Sequence, residues 1–482
     1  MVSIKRRPLL ALTLGLAALF AAPAGALAQK LPDFNAQAGM LKIGPDPQRP
    51  DAEIFHVAYT LKGADPARRP VTFVFNGGPG ASSIYLHLSA LGPKTIATPG
   101  DGRMPKVPAR LEPNPDSWLA FTDLVFIDPV GTGYSRMLPG PDGKPGDPKP
   151  YYGVESDVRA IAGFVRQWLT LHQRWSSPTA LAGESYAGTR IAALLPVLSR
   201  DYGININRAV LISPEFNVPS LAEPFPAYDL LHAMTLLPTQ AAIAAYHGLG
   251  TTPNDAAGKQ AAEDFALTGY LTGLATLGRM NPQQQAAFYA RVGGVIGMDP
   301  AVVAIHRGRV GEAVFATGLL AARGQVLDLY DGTTPSENPR PDKRDDFGVA
   351  PRTLSVLSGV YLPPFMDYLR NELGYARERP YLVLNLEVSM LWDRKSELGT
   401  PDDLATALAQ NTDLKALVVH GYQDLGANYF LSRYLLEQVV RTPAARQRLG
   451  FHTYTGGHMF YLRKDSRAAL ARDVRSFFET AP

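Results

Sequence analysis

The chain has 482 residues, 46% of them hydrophobic and 19% charged, which is enough for a sizeable core and two or three domains. A formal net charge of +3, with no Lys/Arg stripe interleaved with aromatics, argues against a nucleic-acid partner. There is no cysteine, which excludes disulfides, a thiolate nucleophile and a lipid-modified cysteine, so core packing must stabilise the fold alone.

Lys5, Arg6 and Arg7 begin the chain as a basic cluster, and Leu9 to Phe20 follow as an apolar stretch too short to span a bilayer comfortably. Ala26-Leu27-Ala28 then supplies the small residues of a cleavage site before Gln29. The pattern predicts a signal peptide over residues 1–28, removed on export. Arg6-Arg7 is compatible with a twin-arginine route, although nothing around the pair reinforces it. No later stretch has the length and apolarity of a transmembrane helix. An exported, cysteine-free chain with this leader points to a bacterial periplasmic or secreted product with no membrane attachment after cleavage.

Gln29 to Asp51 is polar and reads as an extended arm. Ile54 to Leu61 alternates, with Phe55, Val57, Tyr59 and Leu61 on one face, as in a half-buried strand of a leading antiparallel hairpin. Val71 to Phe75 is a buried strand ending at Asn76-Gly77-Gly78-Pro79-Gly80, and Leu124 to Ile127 another, ending at Asp128-Pro129-Val130-Gly131-Thr132-Gly133. Gly-rich loops at carboxyl ends of strands lie at the functional edge of an α/β sheet. After the loop Met137 to Pro150, a helix carries Val154, Val158, Ile161, Val165, Trp168 and Leu169 along one side. Thr179 to Ala182 is a strand, Ile191, Leu194, Leu195 and Leu198 mark a helix, and Ala209 to Ile212 is a further strand.

Past Pro214 the texture becomes Ala-rich and helical, interrupted by a polar, proline-containing break at Asp331 to Arg352 that reads as exposed. The sheet pattern returns at Ala416 to His420 and Phe451 to Thr455, and a last helix, about Ser466 to Glu479, places Leu470, Val474 and Phe477 on one side. The expected fold is α/β: a mostly parallel central sheet with helices on both faces, split into residues 29–215 and 396–482 by a mainly helical cap or insertion at 216–395.

Between the strand at Thr179 and the helix after it stands Gly183-Glu184-Ser185-Tyr186-Ala187-Gly188. A serine at a sharp strand-to-helix turn, flanked two residues away by small side chains, is the nucleophile elbow of α/β-hydrolases. Ala187 replaces the last Gly of the generic pattern. Such a serine needs a base, a group that orients the base and donors for an oxyanion, and in this fold the acid and then the histidine follow the serine. Asp424 and His458 each stand just past a late strand, in that order. His420 and His452 lie within predicted strands and read as packing residues. One oxyanion donor is the N–H after the nucleophile, that of Tyr186; the second comes from an early strand-end loop, which points to Asn76–Gly80. No H-E-x-x-H, histidine cluster or P-loop occurs, and Gly131-Thr132-Gly133 lacks the third glycine of a dinucleotide fingerprint because Arg136 fills its place. No metal and no cofactor are expected.

Taken together, the chain resembles the serine carboxypeptidases. The matching pieces are Asn76-Gly77-Gly78-Pro79-Gly80-Ala81-Ser82-Ser83, Leu91-Gly92-Pro93, Asn114-Pro115-Asp116-Ser117-Trp118, Phe126 to Ser135, Gly183 to Gly188 and Gly456-Gly457-His458-Met459, in the family's order. The resemblance implies an α/β-hydrolase core with a helical cap and removal of single residues from the C-termini of peptides or proteins. It implies Ser185 as nucleophile, His458 as base and Asp424 as its orienter, with oxyanion donors at Gly78 and Tyr186. Asn76 and Glu184 would hold the substrate's terminal carboxylate, which requires a proton shared between the two carboxyls. The family's second glutamate is replaced here by Ala90, which weakens the expectation of strict C-terminal specificity and of a strongly acid optimum. Ala81 stands where a disulfide cysteine is usual, and Tyr422 where the family often has a first Asp. An esterase or acyltransferase on the same machinery, or a non-catalytic peptide-binding relative, are the competing readings.

Overall fold

Backbone pairing begins with a hairpin. β1 (Phe34–Ile43) and β2 (Ala52–Leu61) run antiparallel, Phe34 opposite Leu61 and Ile43 opposite Ala52. The computed structural model describes residues 33–480 except 47, 141, 145, 219–227 and 340–351, and for 352–355 the backbone alone; the expected signal peptide lies outside the described residues. β1 corrects the expected extended arm. As an edge strand with one packed face it needs few large apolar side chains, so its sequence looks polar while its backbone pairs along its whole length.

β3 (Val71–Phe75), β4 (Lys94–Ile96), β5 (Leu111–Pro113), β6 (Asp123–Ile127), β7 (Arg136–Met137), β8 (Thr179–Glu184) and β9 (Arg208–Ile212) follow. β10 (Gln325–Leu327), β11 (Pro335–Glu337), β12 (Lys415–Gly421) and β13 (Leu449–Tyr454) complete the strands. Among the described residues one nine-stranded sheet runs in the order β1-β2-β6-β3-β8-β9-β12-β13, with β7 on β2. From β6 to β13 neighbours are parallel.

Interior parallel strands must bury both faces. Phe73, Phe75, Leu181, Leu211 and Val418 enter one hydrophobic core, and Val74, Ala182, Val210, Ile212, Leu417 and Val419 the core on the opposite face, as a side-chain period of two requires. α1 (Ile84–Leu86), which runs into a π-helical turn at His87–Leu91, lies on the second face. α2 (Val154–Leu171) and α3 (Ala187–Tyr202) cover the first. All six apolar positions expected on α2 and all four expected on α3 are buried. Trp168 meets Phe73 edge-on at 5.5 Å.

Between β9 and β12 the chain is mainly helical. α4 (Leu230–Tyr246), α5 (Ala256–Phe265), α6 (Leu271–Thr276), α7 (Pro282–Ile296), α8 (Pro300–Ile305) and α9 (Glu312–Gly318) gather around Leu237, Ile243, Phe265 and Phe315. α10 (Arg352–Asn371) behaves differently. Its Leu357, Val360, Tyr361 and Phe365 share the second core with Tyr59 and Phe126 of the sheet. The remaining helices are α11 (Leu386–Leu391), α12 (Pro401–Gln410), α13 (Tyr429–Val439), α14 (Pro443–Arg446) and α15 (Lys464–Glu479). Leu470 and Val474 of α15 are wholly buried in the second core.

The expected exposed break at Asp331 to Arg352 is corrected at its start. Asp331 and Thr333 are buried, Gly332 donates its N–H to the carbonyl of Gln423 at 2.9 Å, and β11 pairs with β10. Polar composition misled here because the segment threads against the loop after β13: a Cβ on Gly457 would stand 1.9 Å from the carbonyl oxygen of Tyr330.

The strand order places a switch between β3 and β8. The chain leaves β3 toward β6 on one side and from β8 onward fills the other. In open α/β sheets the crevice at such a point, outside the carboxyl ends of the strands, is where ligands bind.

Candidate active site

β8 delivers Ser185 to that crevice. The turn is tight: a Cβ on Gly183 would lie 2.5 Å from that of Ala187, and one on Gly188 2.5 Å from Cβ of Pro214. Ser185 adopts φ 62°, a left-handed conformation that costs a non-glycine residue roughly 1–3 kcal/mol and persists only where its surroundings enforce it. They do so here. Its N–H donates to the carbonyl of Ile212 at 3.0 Å, and its carbonyl accepts from Gly188 at 2.8 Å and Glu215 at 3.0 Å.

β12 and β13 bring in the other two residues. Oδ1 of Asp424 accepts the N–H groups of Gly426 and Ala427, both at 2.9 Å, and Oδ2 lies 2.7 Å from Nδ1 of His458. His458 is held by its own backbone: its N–H donates to the carbonyl of Tyr330 and its carbonyl accepts from Oγ of Ser213 at 2.8 Å. The Tyr330 ring meets the imidazole edge-on at 4.8 Å. Burial disfavours a proton on His458, but Asp424, aided by Glu184 and Glu215, outweighs it and holds the imidazole above its ordinary value. A hydrogen bond between Ser185 Oγ and the imidazole is not formed in this structure; catalytic contacts commonly tighten when substrate binds.

The loop after β3 lies on the elbow. A Cβ on Gly77 would stand 2.5 Å from N of Tyr186 and 2.9 Å from Cβ of Ser185, so glycine is what permits the contact. Gly78 has φ 105°. Among the described residues neither the N–H of Gly78 nor that of Tyr186 meets a protein acceptor, as donors reserved for a ligand would require. Asn76 donates through Nδ2 to Oε2 of Glu184 in a short contact and accepts the N–H of Leu86 through Oδ1 at 3.1 Å. Oε1 of Glu184 accepts from the hydroxyl of Tyr461 at 2.5 Å. Burial pushes the Glu184 carboxyl up to about 7, against the opposing influence of His458, Tyr461 and Asn76. Ala90 is buried in the π-helical turn, and its carbonyl accepts from Nδ2 of Asn114 at 2.9 Å.

Three contributors escaped the sequence reading: Tyr461, Tyr330 and the pair Arg190–Asp157. Arg190, 1% exposed, donates from Nε to Oδ2 of Asp157 at 2.6 Å and from Nη1 to the carbonyl of Asn76 at 2.8 Å. Its guanidinium also lies over the rings of Phe75 and Tyr186. The available signal was an opposite charge on the apolar face of each of two successive helices. His420 is buried, and burial pushes it down to about 3, so it is neutral packing material as expected. His452 departs from that expectation. Its side chain is 48% exposed and pairs with Asp473 at 3.5 Å, because β13 is an edge strand with a solvated face.

A sheet of this order, with a serine at the strand-to-helix turn of its switch point, defines the α/β-hydrolase fold. A solved structure with that fold, KEX1(delta)p, described as a prohormone-processing carboxypeptidase from Saccharomyces cerevisiae, matches with a TM-score of 0.58 over 93% of this chain and 91% of its own, at 16% identity. Residues 25–213 match the model of the serine carboxypeptidase family. Serine carboxypeptidase-like 5 of Arabidopsis thaliana is 30% identical over 171 residues, covering 35% of this chain and 35% of the relative. The lysosomal protective protein of Mus musculus is 29% identical over 183 residues, 37% of this chain and 33% of the relative. The chain thus spans about a third of the length of these relatives. The family match takes in Asn76 to Gly80 and Ser185 but ends before Asp424 and His458.

Proposed function

We propose that this chain is an exported serine-type carboxypeptidase that releases C-terminal residues from peptides or proteins through an acyl-enzyme. The observation that carries the reading is the His458–Asp424 pair at 2.7 Å in the same crevice as a left-handed Ser185. In this reading Ser185 Oγ attacks the scissile carbonyl and His458 takes its proton, later giving it to the leaving amine. Asp424 orients the imidazole and stabilises its charged form. The N–H groups of Gly78 and Tyr186 receive the oxyanion. Asn76 and Glu184 hold the terminal carboxylate of the departing residue; a Glu184 that keeps its proton until about 7 is able to share it there. Water then releases the acyl group by the same steps. Residues 216–395 form the cap in this reading, and residues 1–28 the leader that takes the protein to the periplasm or beyond. Among the described residues no helix is long and apolar enough to cross a membrane.

Ala90 favours one alternative, an esterase or acyltransferase that has no need of a carboxylate. Digestion of one peptide, mass-mapped as the free acid and as the C-terminal amide, separates the two. Stepwise loss of residues from the free acid, with the amide resistant and Ser185→Ala inert, is the expected result. Ester hydrolysis without peptide cleavage would support the alternative, and appreciable turnover by Ser185→Ala would remove the mechanism.

A further inference from the structure

Glu184 is a buried carboxyl whose two oxygens are approached by two donors from opposite halves of the chain. Nδ2 of Asn76 reaches Oε2, and the hydroxyl of Tyr461, wholly buried, reaches Oε1 at 2.5 Å. Tyr461 stands in the 3-10 turn Phe460–Leu462, three residues beyond His458, and that turn packs against the π-helical turn that holds Ala90. Among the described residues, the charged groups that act on Glu184 are His458 and Asp424, and the neutral phenols of Tyr85, Tyr361 and Tyr330 also lie within its influence. The described tyrosines near it are pushed well upward by burial, so none brings a charge.

Resting on the carboxylate reading above, we propose that Tyr461 is the positioning residue for Glu184: its phenol fixes the carboxyl and leaves the carboxyl's own proton for the incoming terminal carboxylate. The task that Ala90 cannot perform is thereby met by a phenol. Both protein neighbours donate, so a proton on Glu184 is not consumed by either of them. A neutral phenol adds no charge, so it avoids the like-charge conflict of two adjacent carboxylates. It also favours the ionised form of Glu184 through its hydrogen bond, which limits the pH range over which the proton is kept.

The test is KM and kcat between pH 5 and 9 for an N-blocked dipeptide as free acid and as C-terminal amide, with the full chain and Tyr461→Phe. In the parent, KM for the free acid rises as Glu184 loses its proton. Without the phenol the proton is held longer, and the rise is expected about one pH unit higher, falling on KM more than on kcat. The amide profile is expected to stay flat. Tyr461→Met, which fills the space without a donor, gives the same reading should the phenylalanine variant melt early. In a Glu184→Gln background, adding Tyr461→Phe is expected to move nothing further. An unmoved midpoint, an equal change with the amide, or a shift that persists in the Gln background would overturn the role of Tyr461. A parent enzyme that does not distinguish acid from amide would instead remove the carboxylate reading itself, and this inference with it.

Discussion

Gly77 does no chemistry, yet the site depends on it. Asn76-Gly77-Gly78-Pro79-Gly80 was legible in the sequence as a dense glycine loop at a strand end, and Ser185 as the head of an elbow. Which glycine touches the elbow was not legible, because the contact joins residues far apart in the chain. Gly77→Ala forces a Cβ to within 2.5 Å of N of Tyr186 and 2.7 Å of the carbonyl oxygen of Glu184. Neither atom is the end of a flexible side chain, so the loop must lift. The expected result is a fall in kcat of about 10²–10³, the scale of a lost oxyanion donor, with the melting temperature much less affected. Steady-state kinetics beside a thermal melt checks this; unchanged kcat would show that the loop does not serve the oxyanion.

Two helices and a strand meet at Arg190. Their existence was read correctly from apolar spacing, since α2 and α3 bury the side chains that the 3.6-residue period selected. Their brace was not, because periodicity treats a charge on an apolar face as noise. Asp157 of α2 and Arg190 of α3 form a buried ion pair, and Arg190 passes the tie on to the end of β3 through Asn76. Removing one partner leaves the other charge buried and uncompensated, which costs about 3–5 kcal/mol. Asp157→Ala is therefore expected to lower the urea midpoint by an amount equivalent to that range. A midpoint within experimental error of the parent would mean that the helices do not depend on the brace.

At the scale of the whole molecule, buried titratable groups set how stability follows pH. Burial raises Glu184 to about 7 and Asp128 and Asp331 to about 6, so each favours folding fully below its ordinary value, near 4, and loses that contribution as pH rises through the raised one. Burial lowers His56 to about 4 and His87 and His420 to about 3, so each contributes fully above 6.5 and loses that contribution as pH falls. Between about 5 and 7 the two sets oppose each other. Below 4 the acids are protonated in both states and the histidines dominate. The melting temperature is expected to be nearly flat from pH 5 to 7 and to drop steeply below 4. Calorimetry across that range tests it; a maximum below pH 4 would contradict the assignment of these histidines as neutral and buried.

The sequence by itself determined the long strands and helices of the sheet region from β2 onward, a sharp serine turn and the order serine, acid, histidine along the chain, because those follow from local spacing and from glycines at strand ends. It did not determine β1, which is made a strand by its partner, or the fate of Asp331, which is buried by a loop more than 120 residues later. The surroundings of Glu184 belong to the same class. Asn76 and Tyr461 converge on that carboxyl only when β3, β8 and the turn after β13 stand at one edge of the sheet. A buried carboxyl takes its proton and its orientation from those distant neighbours, so only the tertiary structure decided what Glu184 is.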